Sequence, residues 1–380
     1  MSKLNLLMLN YEFPPIGGGA AAAHLSLLKQ YAGNNDLRVD VLTSAPKPGF
    51  YEENFSENIK IYKIGLHKKQ LHYWRKIEVI EWLMKARPRY RNLLSQNSYN
   101  LVHAFFAFPS GYLCYKTVNN LPYIISLRGS DVPGYNIRLG LDYKLLAGLF
   151  RRIWSSADAV IANSSGLKQL AIEFMPGLDI KVIPNGIDTD KFYPEKSSLK
   201  NPLKLLTVCR LISRKRIDLL IHALASARAK GQDIELNIVG DGNLMSSLKS
   251  LTEHLSLYGK VHFFGRIEPE KMPEIYRSND IFIMASQHEG MSNAMLEAMA
   301  SGLPIITTRC EGAEELIENN GIIVENANPE SISEAIIKLA SDRQNLNQFS
   351  VAAVKQAKKF SWSTVADKYR LLYEDICRKK

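Results

Sequence analysis

No apolar run in the 380 residues approaches the roughly 20 that a bilayer-spanning helix needs. The opening stretch Leu4 to Leu9 is too short for a secretory leader, lacks a small-residue cleavage site, and runs straight into Tyr11-Glu12-Phe13-Pro14-Pro15. It reads as a first strand. Four cysteines, Cys114, Cys209, Cys310 and Cys377, fall at neither CxxC nor CxH spacing, which argues against a disulfide framework or a structural zinc site. A cytoplasmic protein is expected. The one DxD triplet, Asp188-Thr189-Asp190, has no partner carboxylates or histidines at metal-ligand spacing, so no metal is expected.

What is present is an ordinary globular composition, 46% apolar and 23% charged, in a chain longer than one core usually serves. Two domains are expected. The formal charge of +10 favours phosphates, whether on nucleotides, anionic lipid or nucleic acid, and selects none of them.

The most informative stretch is Ser286 to Thr307, SQHEGMSNAMLEAMASGLPIITT. Glu289 lies in a glycine-containing loop, and Glu297 lies about a turn and a half into a helix that Ser292 or Asn293 can cap. The two carboxylates can therefore face one crevice, into which the helix start also directs backbone N–H groups suited to an anion. A phosphorylated ligand is expected.

In the first half, Lys3 to Asn10 reads as a strand, followed by Gly17-Gly18-Gly19 and the helix-prone Ala20 to Tyr31. Such a loop lets backbone amides approach a phosphate or sugar, although it is neither GxGxxG nor a Walker sequence. Short apolar strands follow at Arg38–Thr43, Ile59–Ile64, Leu101–Ala104, Tyr123–Leu127, Ala159–Ala162 and Lys181–Ile183, separated by helical patterns. This alternation implies an α/β protein with parallel sheets covered on both faces. Ligands of such sheets sit beyond the carboxyl ends of strands, which selects Gly17 to Gly19, His103, Arg128 to Asp131 and Asn163-Ser164. His103 is either a ligand contact or a satisfied structural histidine, and Arg128 with Asp131 is either a contact or an internal ion pair.

Residues 60–91 hold ten Lys or Arg against Glu78 and Glu81, interleaved with Tyr73, Trp74, Ile77, Ile80, Trp82, Leu83 and Met84. The pattern fits a basic amphipathic helix on an anionic membrane, with Lys68, Lys69, Arg75 and Lys76 as contacts, or a solvated face over a packed helix. No nucleic-acid-binding module surrounds it. Asn185 to Pro202 is polar and turn-rich and reads as the linker, with a boundary at 188/189.

A second strand and helix series begins at Leu203. Arg210 and Lys215 follow its first strand, where cations clamp a diphosphate well and disfavour the coming helix start unless an anion compensates. Gly240 and Gly242, after the next strand, allow close backbone approach. The final helix carries the apolar stripe Trp362, Val365, Tyr369, Leu372 and Tyr373.

In order and spacing, PPIGGG, ADAVIANSS, IPNGIDTDKF, VCRLISRKRIDLLIHAL, IVGDG, FFGRI and HEGMSNAMLEAMASGLPII resemble the retaining family-four glycosyltransferases of the GT-B fold. The likeness runs nearly end to end. It implies two Rossmann-like parallel-sheet domains facing a cleft: an N-terminal acceptor domain, 1–188, joined by a C-terminal helix, 361–380, that crosses back, and a nucleotide-sugar domain, 189–360. It implies transfer from a nucleoside diphosphate sugar to a glycan or lipid-linked acceptor for the cell surface, with retention and without a covalent intermediate or cofactor. Arg210, Lys215 and Glu289 would be catalytic. Gly17, Gly18, Gly19, Gly240, Gly290, Met291, Ser292, Asn293 and Glu297 would bind the donor, with Glu297 on the ribose.

Where many members carry His-Gly and His-x-His, this chain carries Arg128-Gly129 and His103-Ala104-Phe105. His103, Arg128, Asp131 and Asn163 are then the expected contacts to acceptor or sugar. Peripheral attachment to the inner membrane face through 60–91 also fits. The competing expectations are a GT-B sugar-nucleotide epimerase or hydrolase, and a non-catalytic nucleotide-sugar binding protein.

Overall fold

The computed structural model describes residues 3–117, 121–136, 139–195 and 201–379. The chain divides into two compact units, Met1–Asn185 with Trp362–Lys380, and Gly186–Ser361. The expected boundary at 188/189 moves to 185/186 because Ile187 already belongs to the second unit. Its N–H donates to the Phe360 carbonyl at 2.7 Å and it bridges Ser361 in parallel. Of the expected linker, 196–200 lie outside the described residues.

Unit 1 contains β1 (Leu4–Leu9), β2 (Leu37–Ala45), β3 (Gly49–Ser56), β4 (Ile59–Gly65), β5 (Leu101–Phe105), β6 (Tyr123–Ser126), β7 (Ala159–Ala162) and β8 (Ile180–Val182). They form one sheet in the order β3-β4-β2-β1-β5-β6-β7-β8, parallel except for β3. Its central strands are continuous apolar runs, as a parallel sheet covered on both faces requires. The strand β3 has no counterpart among the expected elements. It is a polar, largely exposed edge strand hydrogen-bonded antiparallel to β4, so no apolar run marks it.

Helix Trp362–Arg378 packs on unit 1 through Trp362, Val365, Ala366, Tyr369, Leu372, Tyr373 and Ile376, spaced by three or four residues along one face. The Tyr31 hydroxyl donates to the Ala366 carbonyl at 3.1 Å. The chain's last helix is thus part of the first unit's core.

Unit 2 contains β9 (Leu203–Val208), β10 (Ile234–Val239), β11 (Val261–Gly265), β12 (Ile281–Met284), β13 (Ile305–Thr308) and β14 (Gly321–Val324). All are parallel, in the order β11-β10-β9-β12-β13-β14. The order reverses at β9, because β10 lies on one side of it and β12 on the other. That switch point is where a doubly wound sheet opens a crevice at its carboxyl edge.

The basic segment 60–91 is strand β4, a loop, and most of helix Lys76–Gln96, which corrects its reading as one amphipathic helix. Lys60 and Lys63 pair with Glu52 and Glu53 of β3. Lys68 is not a surface cation. Its ammonium and the Glu78 carboxylate are each 1% exposed and lie 2.9 Å apart, with the ammonium 3.9 Å from the Trp74 ring. Burial pushes the Glu78 carboxyl up, but hydrogen bonds from Arg75, Lys68 and Lys69 outweigh it and hold the group down at about 2.

Candidate active site

The switch point of unit 2 gathers the charged residues. After β9 the chain passes Cys209 and exposed Arg210, then makes a single tight turn, Ser213–Lys215, ahead of helix Ile217–Ala229. Arg216, in the left-handed region at φ 47°, begins that helix and pairs with Asp218. The Lys215 side chain points inward instead, and only 9% of it is exposed.

After β12 the chain forms the loop 286–291. There the Glu289 carboxylate forms an ion pair with the Lys215 ammonium. The Gln287 N–H donates to the Arg214 carbonyl at 2.9 Å, so the two loops are tied through main chain as well. Ser292 caps helix Asn293–Ala300, accepting from the Met295 N–H at 3.3 Å, and Met291 is buried beneath the loop. This resolves the open choice of cap in favour of Ser292.

Glu297, on that helix, accepts a hydrogen bond from the Tyr276 hydroxyl at 2.8 Å. Burial pushes its carboxyl up to about 7, against the pull of the Tyr276 hydrogen bond and of Lys191. Burial likewise pushes the Cys209 thiol up to about 11 and the Cys310 thiol up to about 12, so both stay protonated near neutrality.

Two contributors were not anticipated. Tyr276 comes from helix Met272–Arg277, whose sequence carries no sign of its contact with Glu297. Glu311 follows β13, and the rule that ligands sit beyond strand ends would have pointed to it. Its carboxylate accepts the Glu289 N–H at 2.8 Å and lies 2.6 Å from His288 Nδ1.

Gly240 is needed by the fold. Its φ is 131°, a Cβ there would lie 1.8 Å from the Cys209 carbonyl oxygen, and its N–H already donates to Gly265. Gly17, at φ 99°, is similarly committed. A Cβ would lie 2.7 Å from Glu12 Oε2, its N–H donates to the Leu71 carbonyl, and its own carbonyl meets the His72 ring. At both positions the close approach within the protein is by itself enough to require glycine. Gly18 and Gly19 remain exposed at the start of helix Gly19–Tyr31. Asp188 closes a local turn, accepting from the N–H groups of Asp190 and Lys191.

Unit 1 corrects more of the expected contacts. His103 is fully buried and uses both ring nitrogens, Nδ1 with the Tyr373 hydroxyl at 2.8 Å and Nε2 with the Ser126 hydroxyl at 2.7 Å. Burial, with Arg128 and His24 nearby, pushes it well below the ordinary histidine range, so it is a neutral structural residue. Asp131 is buried and accepts the N–H groups of Ala107 and Arg128, each at 2.8 Å, thereby joining two strand-end loops. The Arg128 guanidinium reaches Asn185 at 2.8 Å and Tyr369 at 3.3 Å and lies over the Phe105 ring. It therefore ties β6 to the last helix, and in place of the alternative Arg128–Asp131 ion pair the Arg128 N–H donates to the Asp131 carboxylate. Asn163 is buried with its side-chain carbonyl unpartnered among the described residues.

Residues 17–191 match the family described as Glycosyltransferase Family 4, and residues 189–357 the family described as Glycosyl transferases group 1. The chain belongs to this glycosyltransferase family. An uncharacterized glycosyltransferase of Methanocaldococcus jannaschii is 25% identical over 381 residues, covering 99% of both chains. A GDP-mannose-dependent alpha-(1-6)-phosphatidylinositol monomannoside mannosyltransferase of Mycobacterium tuberculosis is 29% identical over 240 residues, covering 58% of this chain and 62% of that one.

Among solved structures, sucrose-phosphate synthase from Thermosynechococcus elongatus superposes with TM-score 0.83 at 20% identity, covering 99% of this chain and 100% of that one. HepE of Anabaena, in complex with UDP and glucose, does so with TM-score 0.74 at 19% identity, covering 98% and 100%. These likenesses establish the GT-B fold. The glycosyltransferase is thus an enzyme with its charged cluster at the switch point of the second sheet.

Proposed function

We propose that the enzyme transfers a sugar, with retention, from a nucleoside diphosphate sugar held by unit 2 to a glycan or lipid-linked acceptor taken by unit 1, in building a cell-surface glycan at the cytoplasmic face of a membrane. The observation that carries the reading is the placement of Arg210, Lys215, Glu289 and Glu297 around the carboxyl ends of β9 and β12. UDP in the HepE structure and the GDP-mannose dependence of the mycobacterial relative support a nucleotide-sugar donor.

The cluster suits that chemistry. Breaking the bond from the anomeric carbon to phosphate leaves an electron pair on the diphosphate oxygen. In this reading Arg210, Lys215 and the amides of Gly290 to Asn293 stabilise that charge, and no metal is required if they suffice. Glu289 then positions the sugar, and Glu297 accepts hydrogen bonds from the ribose hydroxyls. The acceptor oxygen attacks from the face the diphosphate leaves, and its proton passes to the departing phosphate oxygen. No side chain is asked to become covalently attached.

The test is proton NMR of the product formed in the first turnovers, with mass spectrometry of the quenched enzyme. Retained anomeric configuration without a glycosylated protein is expected. Inversion, a trapped adduct, or donor hydrolysis that acceptors never divert would overturn the proposal.

Attachment to an anionic membrane rests on a different surface of unit 1. Tyr73, Ile77, Ile80 and Met84 are 56, 67, 53 and 66% exposed, and Leu141 and Leu145 of helix Gly140–Ser155 are 72 and 75% exposed. The Lys76–Asp142 ion pair at 2.7 Å holds the two helix starts together. Arg87 and Arg91 continue the solvent face of helix Lys76–Gln96, adding positive charge beside an apolar patch. Apolar side chains flanked by cations are what an anionic lipid surface takes up.

A further inference from the structure

We infer that Glu311 is a positioning residue for Glu289, latching the loop 288–290 so that the Glu289 carboxylate stays at the Lys215 ammonium and within reach of the donor. The inference rests on the reading of unit 2 as the nucleotide-sugar site and adds a residue with a role of its own.

Glu311 uses both carboxylate oxygens on the neighbouring loop. Oε1 lies 2.6 Å from His288 Nδ1, and Oε2 accepts the Glu289 N–H at 2.8 Å. Its side chain is 13% exposed. The next residue, Gly312, donates its N–H to the Glu289 carbonyl at 3.1 Å. A Cβ at Gly312 would lie 1.8 Å from the Gly290 carbonyl oxygen, so the loops approach more closely than any larger residue permits.

Both main-chain groups of Glu289 are therefore fixed by consecutive residues after β13. The same loop is held toward the Lys215 turn by the bond from Gln287 to Arg214. Only the Glu289 side chain remains to respond when a diphosphate competes for Lys215.

The chemistry of Glu311 favours a latch over a ligand contact. A carboxylate beside a diphosphate site repels the ligand, and that cost is limited when both oxygens are occupied by donors. A glutamine of the same size keeps one acceptor oxygen for the Glu289 N–H, and keeps the His288 contact only by donating to a ring of the opposite tautomer, without the carboxylate's charge. Alanine keeps neither contact. A misplacement near 1 Å at a reacting centre costs about 10² in rate, which sets the scale of the expected effect.

The test uses the whole protein, with Glu311→Ala and Glu311→Gln alone and in a Glu289→Gln background. Hydrogen exchange of a peptide spanning 286–291 should speed up about tenfold or more in Glu311→Ala, with β9 and helix Asn293–Ala300 still protected. Turnover should fall about 10²-fold in Glu311→Ala and less in Glu311→Gln, while affinity for the free nucleoside diphosphate stays within about threefold. In the Glu289→Gln background, removing Glu311 should cost nothing further, because a residue acting only through Glu289 is not additive with it.

Unchanged exchange, equal loss of nucleotide affinity, or losses that multiply would overturn the inference. If the wild type turns over no nucleotide sugar, the transferase reading fails instead, and the exchange measurement still decides the latch.

Discussion

Arg210→Ala should lower turnover by roughly 10² to 10³, the loss typical of one donor aimed at charge that develops in the transition state. The residue lies two positions beyond the end of β9, the strand at which the sheet order reverses, and is exposed, whereas the Lys215 and Glu289 side chains are only 9 and 18% exposed. The two cations are therefore not equivalent. Lys215 is a point charge neutralised by Glu289, so a diphosphate must compete for it, and the Arg210 guanidinium differs in kind, being a planar fork that can bind phosphate oxygens in pairs. The check is a comparison of kcat and kcat/KM at saturating acceptor. If kcat is unchanged and only the apparent donor affinity drops, Arg210 serves ground-state binding and not the departing charge.

The second large effect separates two residues that look alike in sequence. Lys68→Glu should destabilise unit 1 by about 3–5 kcal/mol, because it removes one partner of a buried ion pair and leaves like charges facing each other. The pair also makes unit 1 acid-sensitive. The Glu78 carboxyl is depressed in the folded state, so its contribution is complete above the unfolded carboxyl range near 4.5 and is lost as pH falls toward about 2.

By contrast, replacing Ile77, Ile80 and Met84 together by Glu should leave the thermal midpoint nearly unchanged, since all three side chains are mostly exposed. It should abolish sedimentation with phosphatidylserine vesicles. Charge reversal at Arg87 and Arg91 should weaken that binding by about 1 kcal/mol per residue and reduce its salt dependence. Undiminished vesicle binding by the triple variant would remove this patch as the membrane contact.

These two cases show what sequence can carry. Strands of both sheets were legible because a parallel strand buried on both faces must be an apolar run, as in Leu4–Leu9 and Ile281–Met284. Strand β3 was not, since its polar residues face solvent and only hydrogen bonding to β4 makes it a strand. The charge of 60–91 was legible but its direction was not. Composition counts Lys68 with Lys76, and only the fold buries the first against Glu78 and leaves the second at the surface with Asp142.

The site divides in the same way. Glu289, Glu297, Arg210 and Lys215 were legible from their spacing around strand ends. His103 and Asp131 satisfied the same strand-end rule and proved to be buried and fully engaged, because a carboxyl edge also needs polar side chains to close its own loops. Gly240 and Gly17 mark close approach, as glycines do, but of backbone and side chain within the protein. The Tyr276 contact to Glu297 joins positions 21 residues apart, and neither position announces the other.

The central claim is that unit 2 binds a nucleoside diphosphate sugar with the ribose on Glu297, and calorimetric titration of UDP-, GDP- and ADP-sugars tests it most directly. A diphosphate esterified at both ends does not titrate near neutrality, so any pH dependence there belongs to the protein. Ribose hydroxyls donate to the carboxylate form, and the Glu297 carboxyl lies at about 7, so affinity should rise with pH. One nucleotide sugar should bind, about tenfold more tightly at about pH 8 than at about pH 6, as expected for a carboxyl passing from mostly protonated to mostly ionised. Binding without that dependence would remove Glu297 from the ribose. No binding of any of them at either pH would contradict the account.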